Sequence, residues 1–269
     1  MFTVPDRDRV RDRVLELAAA DERVVAAAVV GGLADGAGDR WSDLDLTFAV
    51  ADAVPVSDVL EDWTRELAAE LDAVHLFDLP VASSIYRVFL LPGCLQVDLS
   101  FTPAAEFGAR GPRFELLFGA TVERPHVAPA SANELFGLGV HHAVRARVCI
   151  ERSRFWQAEY WISGVRDEAL ALACRRRGLN GAYGRDFDEL PADVLEPFDD
   201  ALVRSLRPEE LRRALGSAVA GLLRESAEVA DVAAKLEAQL TELTTPAMSS
   251  APPSGPTQET DTKEAPWPS

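Results

Sequence analysis

The chain has 269 residues, a formal net charge of −17 and a hydrophobic content of 48%, which allows one or two domains with well-packed cores. Its acidity argues against broad binding to nucleic acid, which needs a positively charged surface, and would favour a small cationic substrate.

There is no apolar run of about 18 residues, so we expect no transmembrane helix and no membrane partner. The charged N-terminus lacks the apolar segment of a signal peptide. Cys94, Cys149 and Cys174 are far apart in the sequence, and we expect reduced, buried thiols in a cytoplasmic protein.

The first part of the chain, residues 1–125, alternates helix and strand patterns. A helix is predicted around Val10, Val14 and Leu17, which have helical spacing. A buried strand at Val24–Val30 and a strictly alternating strand at Asp43–Val50 follow. A second helix is then predicted for SDVLEDWTRELAAEL, and three more strands for AVHLF, SIYRVFLL and LQVDLSF. This order predicts an α/β domain with a mixed sheet and helices packed on it.

The second part of the chain, residues 131–243, has a helical pattern. Ser131 followed by Glu134 predicts a capping box at the start of a long helical region that ends at Gly178. The domain boundary is expected within Val122–Ala130. Residues 244–269 are rich in Pro, Ser and Thr and are predicted to form a disordered tail. We therefore expect a C-terminal helical bundle domain followed by this tail.

Two aspartates on the alternating strand are candidate metal ligands. Asp43 and Asp45 lie two residues apart, so both carboxylates point to the same face of the strand. Two like charges this close are costly unless a cation joins them or one of them is protonated, and oxygen ligands suit Mg²⁺. A solvated strand face is the alternative. Gly31 and Gly32, at the end of the preceding strand, favour a site because glycines let backbone N–H groups approach a phosphate.

A third carboxylate follows on a later strand with the same alternation. In LQVDLSF, Asp98 shares a face with Gln96 and Ser100, and apolar residues occupy the other face. If the two strands are neighbours, Asp98 joins Asp43 and Asp45 in one cluster. Three carboxylates could hold two Mg²⁺ ions about 3.5–4 Å apart, an arrangement suited to phosphoryl displacement.

This combination resembles the DNA polymerase β-like nucleotidyltransferase superfamily, and the helical half resembles the bacterial antibiotic nucleotidyltransferases that modify aminoglycosides and lincosamides. The resemblance implies that Asp43 and Asp45 bind both metal ions, and that Asp98 completes the catalytic metal site and helps to activate the acceptor hydroxyl. It also implies a nucleotidyltransferase-type fold, with the active site between the two domains. Many antibiotic-modifying members have Gly-Ser where this chain has Gly31 and Gly32.

The implied reaction is Mg²⁺-dependent transfer of a nucleoside monophosphate to a hydroxyl of a small molecule. AMP from ATP is the first choice of donor group, and an aminoglycoside or lincosamide-like antibiotic is the first choice of acceptor. Gly31, Gly32 and Ser42 are the candidate nucleotide-binding residues beside the acidic strand. The sequence leaves the acceptor, the nucleotide base and the oligomeric state open.

The helical half offers a candidate general base. Arg152, Glu159 and Arg166 recur every seven residues, so we expect a stripe along one side of a helix, beside its apolar face. Glu159 would accept the proton of the acceptor hydroxyl and the two arginines would reach phosphates. A structural role, either in a ladder of salt bridges within the helix or in an ion pair at the domain interface, is the alternative. Weaker candidates for acceptor contacts lie in the loop after Gly178: Tyr183, Arg185, Asp186 and Asp188.

Two other functions stay open at this point. The chain could be a protein-modifying adenylyltransferase of the toxin–antitoxin type, although such proteins are typically shorter and lack so large a helical half. It could also be a non-catalytic nucleotide sensor. The presence of all three aspartates favours an active enzyme over a sensor, and the lack of a basic groove argues against a template-directed polymerase.

Overall fold

The computed structural model describes residues 1–34, 36, 38–126 and 128–245. The chain divides into two compact units, Met1–Ala128 and Pro129–Ser269. Within the described ranges, no helix has the length and apolar character needed to cross a membrane. The tail expected at 244–269 lies outside the described residues, except for Thr244, which ends the last helix, and Thr245.

The N-terminal unit is built on a mixed sheet, which confirms the α/β class expected from the sequence. Its strands are β1 (Val24–Val30), β2 (Leu44–Val50), β3 (Val74–Val81), β4 (Ser84–Leu91), β5 (Leu95–Pro103) and β6 (Phe114–Phe118), in the spatial order β3-β4-β5-β2-β1-β6. Neighbouring strands are antiparallel except for β2 and β5, which run parallel. The helices α1 (Val4–Ala20) and α2 (Val56–Leu71) pack against this sheet.

One face of the sheet is apolar and packs on the helices. Trp63 of α2 lies 4.9 Å from Phe48 of β2 and 5.0 Å from Phe101 of β5, measured between ring centroids. All three side chains are buried. Because strand side chains alternate, burial of this face fixes which side chains of β2 and β5 point to the opposite face. A slip of one residue in either strand would bury the aspartates.

The C-terminal unit is helical in its described part, as the sequence predicts. Its helices are α3 (Ala132–Glu151), α4 (Phe155–Arg176), α5 (Ala192–Leu195), α6 (Pro208–Arg224) and α7 (Ala230–Thr244). The capping box at the start of α3 is confirmed, because Ser131 Oγ accepts from the N–H of Glu134 at 3.2 Å and Glu134 Oε2 accepts from the N–H of Ser131 at 2.7 Å.

The long helical region expected after Ser131 is two helices. The chain leaves α3 at Arg152, and Ser153 has a positive φ of 55°. This turn lets α3 and α4 pack on each other, so that each buries its apolar face against the other. The apolar face predicted for α4 is confirmed, with Ala158, Ile162 and Val165 fully buried.

Two further expectations differ from the structure. The strand β6 was not predicted, because Phe114–Phe118 is an edge strand without apolar–polar alternation. The three cysteines are free, as expected, but Cys94 is exposed. It lies in the turn between β4 and β5 with a φ of 61°, whereas Cys149 and Cys174 are buried on helices.

Candidate metal and nucleotide site

Three carboxylates converge on the face of the sheet opposite Trp63. Asp45 of β2 and Asp98 of β5 are direct partners in the parallel pairing, and Asp43 lies one residue before β2. One oxygen from each carboxylate lies within 4.8 Å of the others. This is the cluster that the matched alternation of the two strands predicts. The catalytic roles of its members stay predictions.

The ionised carboxylates of this cluster destabilise one another unless a cation is bound between them. Burial raises the pKa of the Asp98 carboxyl, two hydrogen bonds from Gln96 Nε2 (3.0 and 3.2 Å) oppose the rise, and the charge of Asp43 adds to it. Each of these carboxylates supplies hard oxygen ligands, the donors that Mg²⁺ prefers. The residues present therefore fit a divalent metal site.

The glycine turn touches this cluster directly. Gly31 starts a short 3₁₀ turn, Gly31–Leu33, at the end of β1. Its φ of 71° is in the left-handed region, and a Cβ at this position would overlap Asp45 Oδ2 and nearly touch Asp45 Cγ. Only glycine therefore lets the Asp45 carboxylate approach the turn this closely. At Gly32 a Cβ would meet only Ser42 Oγ, at 3.8 Å, so the space beside Gly32 is open.

A buried arginine that the sequence analysis missed holds the segment leading to Asp43. Arg7 of α1 donates from Nη1 to the carbonyl oxygens of Asp39 (2.6 Å) and Ser42 (3.2 Å), and it is 5% exposed. Ser42 Oγ accepts from the N–H of Asp39 at 2.9 Å. Ser42 was expected to bind nucleotide, and in the structure its hydroxyl shapes this loop. Arg7 lies in a charged run typical of a solvated helix, so its pattern gave no signal of burial.

The stripe expected along one helix is interrupted. Arg152 caps the end of α3 and is exposed, whereas Glu159 and Arg166 lie on α4. Arg166 pairs with Asp167 at 2.8 Å, and Ser163 Oγ donates to Glu159 Oε1 at 2.9 Å. Among the described residues Glu159 has no ion pair, so the salt-bridge ladder is not formed. The roles of Glu159 as base and of both arginines as phosphate ligands stay predictions.

The loop after Gly178 borders a cavity of about 620 Å³ in the C-terminal unit. Tyr183, one of the weaker candidates, lines it, as do Asp167 and Glu168 on α4. Asp186 is used within the loop, because its Oδ2 accepts from the N–H of Asn180 at 2.7 Å. Tyr183 is therefore the loop candidate that faces open space.

The chain was compared with known proteins both by sequence and by structure. No family model matches the chain, and no curated protein matches it. Among solved structures, it is similar to the crystal structure of an aminoglycoside 6-adenyltransferase from Bacillus subtilis, with 13% sequence identity and a TM-score of 0.34. That alignment covers 87% of this chain and 96% of the other.

The contact between Gly31 and Asp45 predicts that a methyl group added at position 31 weakens metal binding. Gly31→Ala should displace the Asp45 carboxylate and weaken Mg²⁺ binding about 10- to 100-fold, the usual effect of disturbing the support of a metal ligand. Gly36→Ala is the matched control, because Gly36 has a φ of 72° but nothing within 4 Å of an added Cβ. Calorimetric titration with Mg²⁺ measures both. Equal affinities of Gly31→Ala and wild type would show that the metal ligands lie elsewhere.

The raised pKa of Asp98 predicts a pH-dependent stability. Because this pKa is higher in the folded chain, the folded chain binds the Asp98 proton more tightly than the unfolded chain does. The contribution of Asp98 to the free energy of unfolding is therefore greatest below its unfolded pKa of about 3.9. This contribution is lost as pH rises through the folded pKa. Asp98→Asn cannot ionise, so without metal it should resist urea better than wild type at about pH 7, and this gain should vanish near pH 3.

Glu61→Gln is the control for this measurement, since Glu61 is an exposed carboxylate on α2. It should leave the urea midpoint nearly unchanged at both pH values. An Asp98→Asn variant that is no more stable than wild type at neutral pH would mean that neither burial nor the charge of Asp43 destabilises the ionised Asp98 carboxylate in the folded protein.

Proposed function

We propose that the protein is a nucleotidyltransferase that uses Mg²⁺ to transfer a nucleoside monophosphate, AMP from ATP as the first choice, to a hydroxyl of a small molecule. The observation that supports this most directly is the convergence of Asp43, Asp45 and Asp98 from two parallel strands, with oxygens within 4.8 Å of one another. The turn at Gly31 packs on Asp45, and we expect it to bind the phosphates of the nucleotide beside the carboxylates.

The residues of the site have distinct tasks in this reaction. Asp43, Asp45 and Asp98 would hold the metal, which when bound neutralises charge on the triphosphate and on the leaving pyrophosphate. The open backbone at Gly32 gives a phosphate close access to N–H groups of the turn. The acceptor oxygen bonds to the α-phosphorus, the bond between the α-phosphorus and the bridging oxygen breaks, and pyrophosphate leaves. The hydroxyl proton passes to a carboxylate, for which Glu159 and Asp98 are the candidates.

The acceptor candidates come from the family resemblance of the sequence. Aminoglycosides and lincosamide-like antibiotics are the first to test, and the net charge of −17 would attract the cationic ones. A protein acceptor, as in toxin–antitoxin pairs, and nucleotide binding without transfer are the alternatives. A screen of acceptors with ATP, GTP, CTP and UTP plus Mg²⁺, with products identified by mass spectrometry, separates these possibilities.

Asp45→Asn should abolish transfer while the fold is kept. The carboxylate lies on the solvent-accessible face of β2, and its loss removes repulsion in the cluster. We expect the rate of pyrophosphate release to fall by at least about 10²- to 10³-fold, with an unchanged circular dichroism spectrum. Glu61→Gln, in the same unit, should keep the wild-type rate. If Asp45→Asn turns over at the wild-type rate, the aspartate cluster is not the catalytic centre.

Glu159→Gln tests the assignment of the acceptor base. A true base contributes about 10²- to 10⁴-fold to the rate, so kcat should fall by that factor while nucleotide affinity stays nearly constant. Ser163→Ala is the control, because it removes the hydrogen bond to Glu159 Oε1 but keeps the carboxylate. A wild-type rate for Glu159→Gln would transfer the role of base to Asp98.

A further inference from the structure

A second cavity lies on the same face of the sheet as the three aspartates. It has a volume of about 170 Å³, whereas one water needs roughly 10–15 Å³ of such space. Thr47 and Ser100 line it, and each follows an aspartate, Asp45 or Asp98, by two residues along its strand. Positions two apart share a face and are separated by about 6.5–7 Å. The cavity therefore adjoins the candidate metal site.

The floor of this cavity is polar where a sheet would ordinarily be apolar. Thr47, Ser100 and Thr102 are 8%, 3% and 6% exposed. Ser100 Oγ donates to Thr47 Oγ1 at 2.7 Å, and Thr102 Oγ1 pairs with Ser84 Oγ at 2.7 Å. In each pair, one hydroxyl proton forms the hydrogen bond between the two side chains. The second hydroxyl proton of the pair can be donated to a bound anion. The floor thus offers buried hydrogen-bond donors.

The cover of the cavity adds positive charge. Arg110 and Arg113 line it from the segment that follows β5. The hydrogen bond of Arg110 Nη2 to Ser84 Oγ is 3.5 Å long, at the weak limit for such a bond. Glu106 is the acid among the lining residues, and Arg124 pairs with it at 3.1 Å. Hydrogen bonds from Ser83 and Arg124 lower the pKa of Glu106, and the charge of Arg110 lowers it further. Guanidinium and hydroxyl donors around a small space match the geometry of a phosphate or a carboxylate.

We propose that this cavity is an oxyanion subsite that holds a phosphate or carboxylate group of the acceptor. This inference rests on the proposed function, which places the transfer at the neighbouring aspartates. The acceptor would be a small alcohol whose anionic group lies a few bonds from the reacting hydroxyl. Its hydroxyl oxygen takes the nucleotidyl group as pyrophosphate leaves, and its oxyanion is unchanged. Such a subsite favours acceptors that carry an anionic group, so it moves them ahead of the cationic aminoglycosides that the family resemblance and the net charge of −17 put first in the screen.

Direct binding tests the subsite without any turnover. Inorganic phosphate and acetate are each titrated into the full chain by calorimetry, without metal or nucleotide. Arg110→Gln should weaken binding of the preferred anion about 10- to 100-fold, the usual worth of a hydrogen bond to a charged group. Arg9→Gln is the matched control, because it removes the same charge from a side chain that is 72% exposed and should leave the affinity nearly unchanged. Arg110→Lys, which keeps the charge, should restore part of the binding.

The outcomes separate this subsite from the proposed function. Tighter binding of phosphate indicates a phosphorylated acceptor, and comparable binding of acetate indicates an acceptor with either anion. Asp45→Asn should bind the anion at least as well as wild type, because it removes a neighbouring negative charge. Absence of binding by the wild type, or equal losses in Arg110→Gln and Arg9→Gln, would overturn the subsite. A failure of Asp45→Asn to reduce transfer would overturn the proposed function and would leave the binding result intact.

Discussion

The parallel pairing of β2 with β5 is the constraint on which the site depends. Its register places Asp45 beside Asp98, and the same register buries Phe48 and Phe101 against Trp63 on the other face. Hydrophobic packing on one side therefore holds like charges together on the other. Burial of aromatic side chains contributes several kcal/mol, which opposes the repulsion among the three carboxylates. The apo fold thus carries a local electrostatic cost that a divalent cation would relieve.

The elements around this pair refine the position of the carboxylates. The left-handed backbone of Gly31 leaves room for the Asp45 oxygen, and Arg7 ties down the segment that carries Asp43 by binding two of its carbonyl oxygens. Two residues farther along the same strands, the side chains on this face are the hydroxyls of Thr47 and Ser100. Arg110 and Arg113 line the same cavity as these hydroxyls. Within two residues along each strand, this face of the sheet therefore changes from carboxylates to hydrogen-bond donors. A metal–triphosphate complex and an acceptor oxyanion would meet where these two regions join.

Much of the site could be predicted because strand alternation is local. Asp43, Asp45 and Asp98 could be assigned to one face from the apolar residues between them, and only their adjacency required the fold. Arg7 and Arg110 could not be predicted, since a charged side chain in a helix or loop gives no sign of its tertiary partner. The break between α3 and α4 had no glycine or proline to mark it, and the apolar spacing continues through Arg152. That turn is imposed by the packing of the two helices, which is a tertiary effect.

The proposal that the aspartate cluster binds two metal ions is tested most directly by electron paramagnetic resonance with Mn²⁺ and a non-hydrolysable ATP analogue. Three carboxylates whose oxygens lie within 4.8 Å of one another should bind two Mn²⁺ ions per chain in the presence of the analogue. Ions held about 3.5–4 Å apart should give a spin-coupled spectrum. A single uncoupled Mn²⁺ signal, or no nucleotide-dependent Mn²⁺ binding, would contradict the account.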